Sequence, residues 1–147
     1  GKTYTGKTHL AVAIADKRIR EGDRVFFTSI PELLDYLRYT FNPDNRASYD
    51  ERFDEVKNAP LLILDDWGAA ASTKWAEEKL YQLFVYRYSR KIPTVITMKN
   101  HNDLGEGYKR RLLDFKSIVT FVDLDEGKPN SVEPGIEKPR SKEPRSF

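Results

Sequence analysis

The feature that most constrains the fold of this chain is its first eight residues, GKTYTGKT, which fit the pattern G-x-x-x-x-G-K-[ST]. Glycines allow the backbone to wrap around phosphate with its N–H groups pointing inward, and a following helix adds the positive end of its dipole. An apolar helix is predicted at once, over residues 9–21. The pattern therefore predicts a phosphate-binding loop. The plainer alternative is a glycine-containing turn that caps a helix and exposes a lysine.

The loop assigns roles to individual side chains. Lys7 is expected to reach the β- and γ-phosphates of a nucleotide, and the Thr8 hydroxyl is expected to bind Mg²⁺. The predicted nucleotide-binding residues of this segment are Gly1, Thr5, Gly6, Lys7 and Thr8. A phosphate loop normally follows a strand. That strand would lie before residue 1, so we expect the sequence to begin inside a longer domain.

A second motif, LLILDD at residues 61–66, complements the loop. A continuous apolar run is typical of a strand buried on both faces of a parallel sheet, and ligands bind at the carboxyl edge of such sheets. Asp65 is therefore expected to help bind nucleotide and Mg²⁺, and Asp66 to act as a catalytic base on water. Alternatively, Asp66 caps the following turn. Together the two motifs predict a nucleoside triphosphate and Mg²⁺ as ligands.

Helices and strands alternate along the chain. Strands are predicted at residues 24–30, 61–66, 94–98 and 117–124. Besides 9–21, helices are predicted after a Ser29/Glu32 capping box, after a second box at Ser48/Glu51, and over 74–90 and 108–114. This order predicts an α/β fold with helices on both faces of a parallel sheet. From residue 126 to 147, prolines and alternating charges predict a disordered tail.

Composition excludes several other classes of protein. The 147 residues contain no cysteine, which excludes disulfides, thiolate metal sites and a cysteine nucleophile. No apolar run approaches the roughly 20 residues that cross a bilayer, and no signal peptide is recognisable. The net charge of +2 is too small to indicate nucleic acid by itself. We therefore expect a cytoplasmic domain with no membrane partner, and no metal ligand at His9 or His101.

Four segments resemble the DnaC/IstB-type AAA+ ATPases, which are bacterial and phage helicase loaders and transposition helper proteins. These segments are GKTYTGKTHLAVAIAD, PELLDYLRYTF, APLLILDDWG and WAEEKLYQLFVYRYSRKIPTVIT. The resemblance covers about residues 1–125. It implies a P-loop NTPase with a five-stranded parallel sheet that hydrolyses ATP at the subunit interfaces of a ring or spiral homo-oligomer. It also implies single-stranded DNA and a replicative helicase or transposase as partners.

The resemblance implies further site residues. The family places Asn or Gln at the end of the fourth strand to orient the attacking water; TVITMKN puts Lys99 there, or Asn100 after a one-residue shift, and we favour Asn100. Arg111 matches the arginine finger that acts on a neighbour's nucleotide, although a solvated basic helix face is the alternative. Lys128 stands where loaders often have a phosphate-sensing arginine, but a surface lysine is the simpler interpretation.

Other basic and aromatic residues have weaker assignments. The family carries a DNA-contacting insertion in the segment that contains Arg38, Arg46 and Arg52, where a solvated face is the plainer interpretation. Trp67 and Trp75 are expected to be packing residues rather than platforms for nucleic acid bases.

The sequence thus predicts an ATP-hydrolysing helicase loader that binds single-stranded DNA. One alternative is a transposition helper ATPase, and another is an inactive remnant that serves only as an interaction module. A small-molecule kinase is a further alternative, disfavoured because residues 94–125 show no arginine-rich lid.

Overall fold

A computed structural model describes Lys2 and residues 4–39, 46–68, 73–100, 105–108, 121–124 and 131–133. In chain order, its elements are α1 (Lys7–Arg20), β1 (Val25–Ser29), α2 (Ile30–Arg38), α3 (Arg46–Asn58), β2 (Leu61–Trp67), α4 (Lys74–Ser89), β3 (Thr94–Met98), β4 (Phe121–Asp123) and β5 (Ser131–Glu133). No helix in these ranges has both the length and the apolar character that crossing a membrane requires.

The central sheet is parallel, as predicted, and its strand order is β1-β2-β3. Val25 of β1 lies opposite Leu61 of β2, and Ser29 lies opposite Asp65. The carboxyl ends of these strands therefore meet at one edge of the sheet. Within the described ranges this sheet has three strands, whereas the resemblance implies five.

The apolar run of β2 is buried on both faces because its alternate side chains pack against different helices. Leu62 and Leu64 belong to the larger core cluster, which they form with side chains of α2, α3 and α4. Leu61 and Ile63 belong to a second cluster with the buried alanines of α1. Since successive side chains of a strand point to opposite faces, α1 covers one face and the other three helices cover the second. The predicted two-sided packing is confirmed.

The two predicted capping boxes have different outcomes. The Ser29 hydroxyl accepts a hydrogen bond from the Glu32 N–H at 3.4 Å, and the Ser29 N–H donates to the Glu32 carboxylate at 3.2 Å. This box begins α2 as predicted. The box at Ser48 is wrong, because α3 already begins at Arg46 and a capping residue must lie outside helical geometry.

Arg87 of α4 is 1% exposed and joins three elements. Its guanidinium donates to five neutral oxygens, which are Val56 O at 3.2 Å, Lys57 O at 2.9 Å, Ala59 O at 2.8 Å, Pro93 O at 2.5 Å and Thr94 Oγ1 at 2.9 Å. Burial lowers the pKa of Arg87 to about 10. This one side chain thereby pairs with the carbonyl groups at the end of α3 and also hydrogen-bonds to the start of β3, which it holds next to α3.

The last predicted strand and helix are described only in part. Of residues 117–124, the structure describes β4, which pairs antiparallel with β5 and not with the parallel sheet. Strand β5 lies inside the segment predicted to be a disordered tail, and the rest of that segment lies outside the described residues. A helical turn starts at Glu106, earlier than the predicted start of the helix at 108, and residues 109–114 are outside the described ranges.

Candidate nucleotide-binding site

The start of α1 leaves backbone donors available at the sheet edge. Gly6 is the N-cap residue with φ 88°, a left-handed conformation that glycine adopts without steric cost. Its carbonyl accepts the Leu10 N–H at 2.9 Å, but within the described residues no side chain caps this first turn and no acidic residue lies in it. The free N–H groups and the helix dipole therefore favour an anion at this end of α1.

The loop before α1 is folded onto its own backbone. The Thr5 hydroxyl donates to the Lys2 carbonyl at 2.9 Å, and the Lys7 ammonium group donates to the same carbonyl oxygen. The Lys7 ammonium group is therefore held against the loop that precedes α1 and adds positive charge to it. Of the residues predicted to bind nucleotide, Gly1 lies outside the described residues.

The fold brings the two sequence motifs into contact. The Thr8 hydroxyl lies 3.0 Å from Asp65 Oδ2 and 3.2 Å from Asp65 Oδ1, although 57 residues separate the two along the chain. Hydroxyl and carboxylate oxygens are ligands that Mg²⁺ accepts. Among the described residues, no group of three or more His, Cys, Asp and Glu could hold a metal. This is compatible with Mg²⁺, which usually binds through one or two carboxylates together with substrate phosphates and water.

A β-bulge in β2 sets the directions of the two acidic residues. Leu64 lies opposite Ile96 and Trp67 lies opposite Met98, so Asp65 and Asp66 together face a single residue of β3. Asp66 has φ 59°, in the left-handed region. Bulges of this kind bend a strand and redirect its side chains. Here the Asp65 carboxylate is half-buried beside Thr8, whereas Asp66 is exposed at the edge.

Thr97, which lies opposite the bulge, was not predicted from the sequence to belong to the site. Its hydroxyl donates to Asp65 Oδ1 at 2.5 Å and accepts the Asp66 N–H at 2.9 Å. Thr97 is buried in a strand whose pattern TVITM gave no sign of a polar role. Its position could have indicated the role, because Thr97 lies one residue before the end of the predicted strand 94–98, and that strand follows the one that carries Asp65 and Asp66.

Of the predicted catalytic residues other than the acidic pair, the structure describes only some. Lys99 and Asn100 are both exposed just after β3, at the edge where the acidic residues lie, so the choice between them stays a prediction. Thr73 caps α4 by accepting the Ala76 N–H at 3.2 Å, so that helix does not require Asp66 as its cap. The side chains of Arg46, His101, Arg111 and Lys128 lie outside the described residues.

Two arginines of the proposed DNA-contacting segment lie against aromatic rings of this chain. The Arg52 guanidinium is 4.6 Å from the ring centroid of Tyr36, and that of Arg38 is 5.1 Å from the ring of Trp75. Trp67 is buried, which confirms its predicted packing role. DNA contact by these arginines stays a prediction.

Comparison with known proteins identifies relatives for this arrangement. The family described as "IstB-like ATP binding protein" matches residues 1–106. The replicative helicase loader DnaC of Escherichia coli K12 is 27% identical over 115 residues, which are 78% of this chain and 46% of DnaC. The uncharacterized protein YdaV of the same strain is 28% identical over 144 residues, covering 94% of this chain and 57% of YdaV. The chain thus spans about half the length of these curated relatives.

Solved structures support the same fold. The crystal structure of the DnaC helicase loader has a TM-score of 0.59 and 29% identity, and the alignment covers 80% of this chain and 64% of that one. The replication initiator DnaA bound to AMPPCP and single-stranded DNA has a TM-score of 0.65 at 20% identity, covering 76% of this chain and 35% of DnaA. The second likeness shows the fold alone. Together they confirm the predicted α/β fold of the P-loop NTPase class.

Proposed function

Because the chain belongs to the family of IstB-like ATP binding proteins, we propose that it binds ATP with Mg²⁺ at the start of α1 and hydrolyses it. The observation that carries this proposal is the contact between the Thr8 hydroxyl and the Asp65 carboxylate. It joins the phosphate-binding loop to the acidic strand end at one edge of a parallel sheet, which is where ligands of open α/β folds bind.

Each part of this site has a chemical task. The first-turn N–H groups of α1 and the Lys7 ammonium group would hold phosphate oxygens, since Lys7 can exchange the neutral Lys2 carbonyl for a charged acceptor. The oxygens of Thr8 and Asp65 fit Mg²⁺, which would neutralise charge on the phosphates when bound.

Hydrolysis needs groups that act on the attacking water and on the γ-phosphate that it attacks, while ADP leaves. Asp66 is exposed next to Asp65 and would act as the base on water, with Asn100 at the end of the next strand to orient that water. Arg111 of a neighbouring copy would stabilise charge on the γ-phosphate, which makes the active form a ring or spiral homo-oligomer.

For the cellular role we propose a helicase loader in DNA replication that binds single-stranded DNA. This is supported by the names of the relatives, which include DnaC of Escherichia coli and the helicase loader DnaI of Bacillus subtilis, 30% identical over 95 residues. The family description, "IstB-like", favours a transposition helper as the second candidate. Co-purification with a replicative helicase supports the first candidate, and co-purification with a transposase supports the second.

ATP binding is tested by changing the loop lysine. Lys7→Ala should weaken the binding of a fluorescent ATP analogue by about tenfold or more, since a charged phosphate contact is lost. Lys17→Ala is the matched control, because Lys17 lies on the same helix and pairs only loosely with Glu21, at 3.9 Å. The control should bind like the unchanged chain. Equal affinity in the Lys7→Ala variant would contradict the proposal, as would binding that chelation of Mg²⁺ leaves unaltered.

A further inference from the structure

We propose that Thr97 is a positioning residue that holds Asp65 and Asp66 in the orientations the site requires, through its one hydroxyl group. The inference rests on the proposed nucleotide site and assigns a residue to it that neither motif contains. Three observations carry it, namely the hydrogen bonds of Thr97, the bulge opposite it and its burial.

The hydroxyl of Thr97 makes two hydrogen bonds of opposite direction. Its single proton goes to Asp65 Oδ1 at 2.5 Å, and its oxygen accepts the Asp66 N–H at 2.9 Å. One atom thus links the side chain of the first acidic residue to the backbone of the second. The Thr8 hydroxyl also donates to Asp65, so hydroxyls from α1 and β3 orient the same carboxylate.

The bulge explains why a side chain is needed at this point. Asp65 and Asp66 together face Thr97, so one residue of β2 has no regular ladder partner on β3. The Thr97 hydroxyl accepts the N–H that the bulge displaces. Because the β-branched side chain of threonine is stiff at χ1, the acceptor is held at one place.

Burial makes the hydroxyl hard to replace. Thr97 is 8% exposed, so little room is left for water to substitute for the lost oxygen. Thr97→Val keeps the shape and the β-branch and removes both hydrogen bonds, whereas Thr97→Ser keeps the hydroxyl. Thr28→Val is a matched control, because Thr28 is equally buried in β1, on the other side of β2. Its hydroxyl donates to the Ser29 carbonyl at 3.1 Å and, among the described residues, to no acidic side chain.

The first measurement needs no nucleotide. Amide hydrogen exchange of Asp66, followed by NMR on the full 147-residue chain, should accelerate by about tenfold or more in Thr97→Val, because its N–H loses its acceptor. Thr97→Ser and Thr28→Val should exchange at this amide like the unchanged chain. If Thr97→Val does not fold, Thr97→Ala is compared with Thr97→Ser, since these two differ by one oxygen.

The second measurement concerns the metal. The Mg²⁺ concentration at half-maximal ATP-analogue binding should rise by roughly five- to tenfold in Thr97→Val, because Asp65 is no longer held. With a chelator present, Thr97→Val and the unchanged chain should bind the ATP analogue equally weakly, and Thr97→Ser should restore the Mg²⁺ midpoint. A residue that only supports the fold would not produce this selective loss.

The outcomes separate this inference from the proposed function. Unaltered Asp66 exchange in Thr97→Val overturns the inference, whatever the nucleotide data show. Faster exchange with an unchanged Mg²⁺ midpoint also overturns it, because Thr97 would then be structural only. If even the unchanged chain binds no ATP analogue, the proposed function fails and the positioning role fails with it, while the exchange data still show whether the Thr97 hydroxyl holds the Asp66 N–H.

Discussion

At the scale of single residues, Arg87 shows how one side chain can supply hydrogen-bond donors to the carbonyl groups at the end of a helix. The carbonyls of Val56, Lys57 and Ala59 stand at or after the last turn of α3, where intrahelical donors run out. The planar guanidinium offers five N–H donors in a fixed geometry, which an ammonium group cannot reproduce.

Arg87→Lys should therefore lower the free energy of unfolding by on the order of 2 kcal/mol or more, because several buried carbonyls lose their donors. Urea unfolding followed by circular dichroism measures this loss. The matched control is Arg90→Lys, since Arg90 is exposed and lies with its guanidinium 3.8 Å from the ring centroid of Tyr86. The control should cost less than about 1 kcal/mol. Unchanged stability in the Arg87→Lys variant would show that the network contributes nothing.

Residue-scale chemistry was only partly predictable from the sequence. Thr8 and Asp65 stand in motifs whose spacing reflects a recurrent geometry, so their partnership could be anticipated before any fold was known. Thr97 could not be found in this way. Its role depends on which strand pairs with β2 and on a bulge in that pairing, and neither is encoded within five local residues.

At the scale of elements, two serines that look alike in sequence differ in structure. Ser29 and Ser48 each precede a glutamate by three residues, but only Ser29 lies outside its helix and caps it. The Ser-x-x-Glu pattern alone cannot distinguish them, because it does not show whether helical geometry has already begun before the serine. The three strands of the parallel sheet were more predictable, since each lies in a short, largely apolar run bounded by Pro or charged residues, whereas β5 lies in the segment predicted to be a disordered tail.

Ser29→Ala should cost about 1 kcal/mol of stability, because the Glu32 N–H loses the hydroxyl that caps it. Ser48→Ala should change stability by less than about 0.5 kcal/mol or raise it, since alanine is the better helix former inside α3. Chemical denaturation of both variants side by side is the measurement. Equal losses in the two would contradict the assigned start of α3.

At the scale of the whole molecule, an aromatic cluster ties residues 105–108 to the core. The Tyr108 ring lies edge-on to Trp67, Tyr81 and Phe84, with ring centroids 5.2, 5.5 and 5.1 Å apart. Burial raises the pKa of Tyr108 to about 12. The contribution of Tyr108 to stability is therefore present below its unfolded pKa of about 10 and is lost as pH rises through about 12.

Tyr108→Phe should flatten the alkaline fall in stability. Urea unfolding at about pH 8.5 and about pH 11 should show a smaller loss in the variant, because the unfolded state of the unchanged chain releases a proton that its folded state retains. Arg87, whose lowered pKa acts in the opposite direction, is present in both proteins and cancels in the comparison. Tyr39→Phe, at a 90% exposed position, should show the same loss of stability between these two pH values as the unchanged chain. An equal loss of stability at alkaline pH in Tyr108→Phe and the unchanged chain would show that Tyr108 does not cause this loss.

The left-handed backbone of Asp66 sets the stability of the fold against the role proposed for its carboxylate. Non-glycine residues at such φ values carry a cost of about 1 kcal/mol, and a glycine would avoid it. The chain nevertheless has an exposed carboxylate there, within β2, a strand that would be more stable without the strain. With Asp66 as the proposed base on water, the sequence that is most stable in this fold and the sequence suited to that chemistry would differ at residue 66.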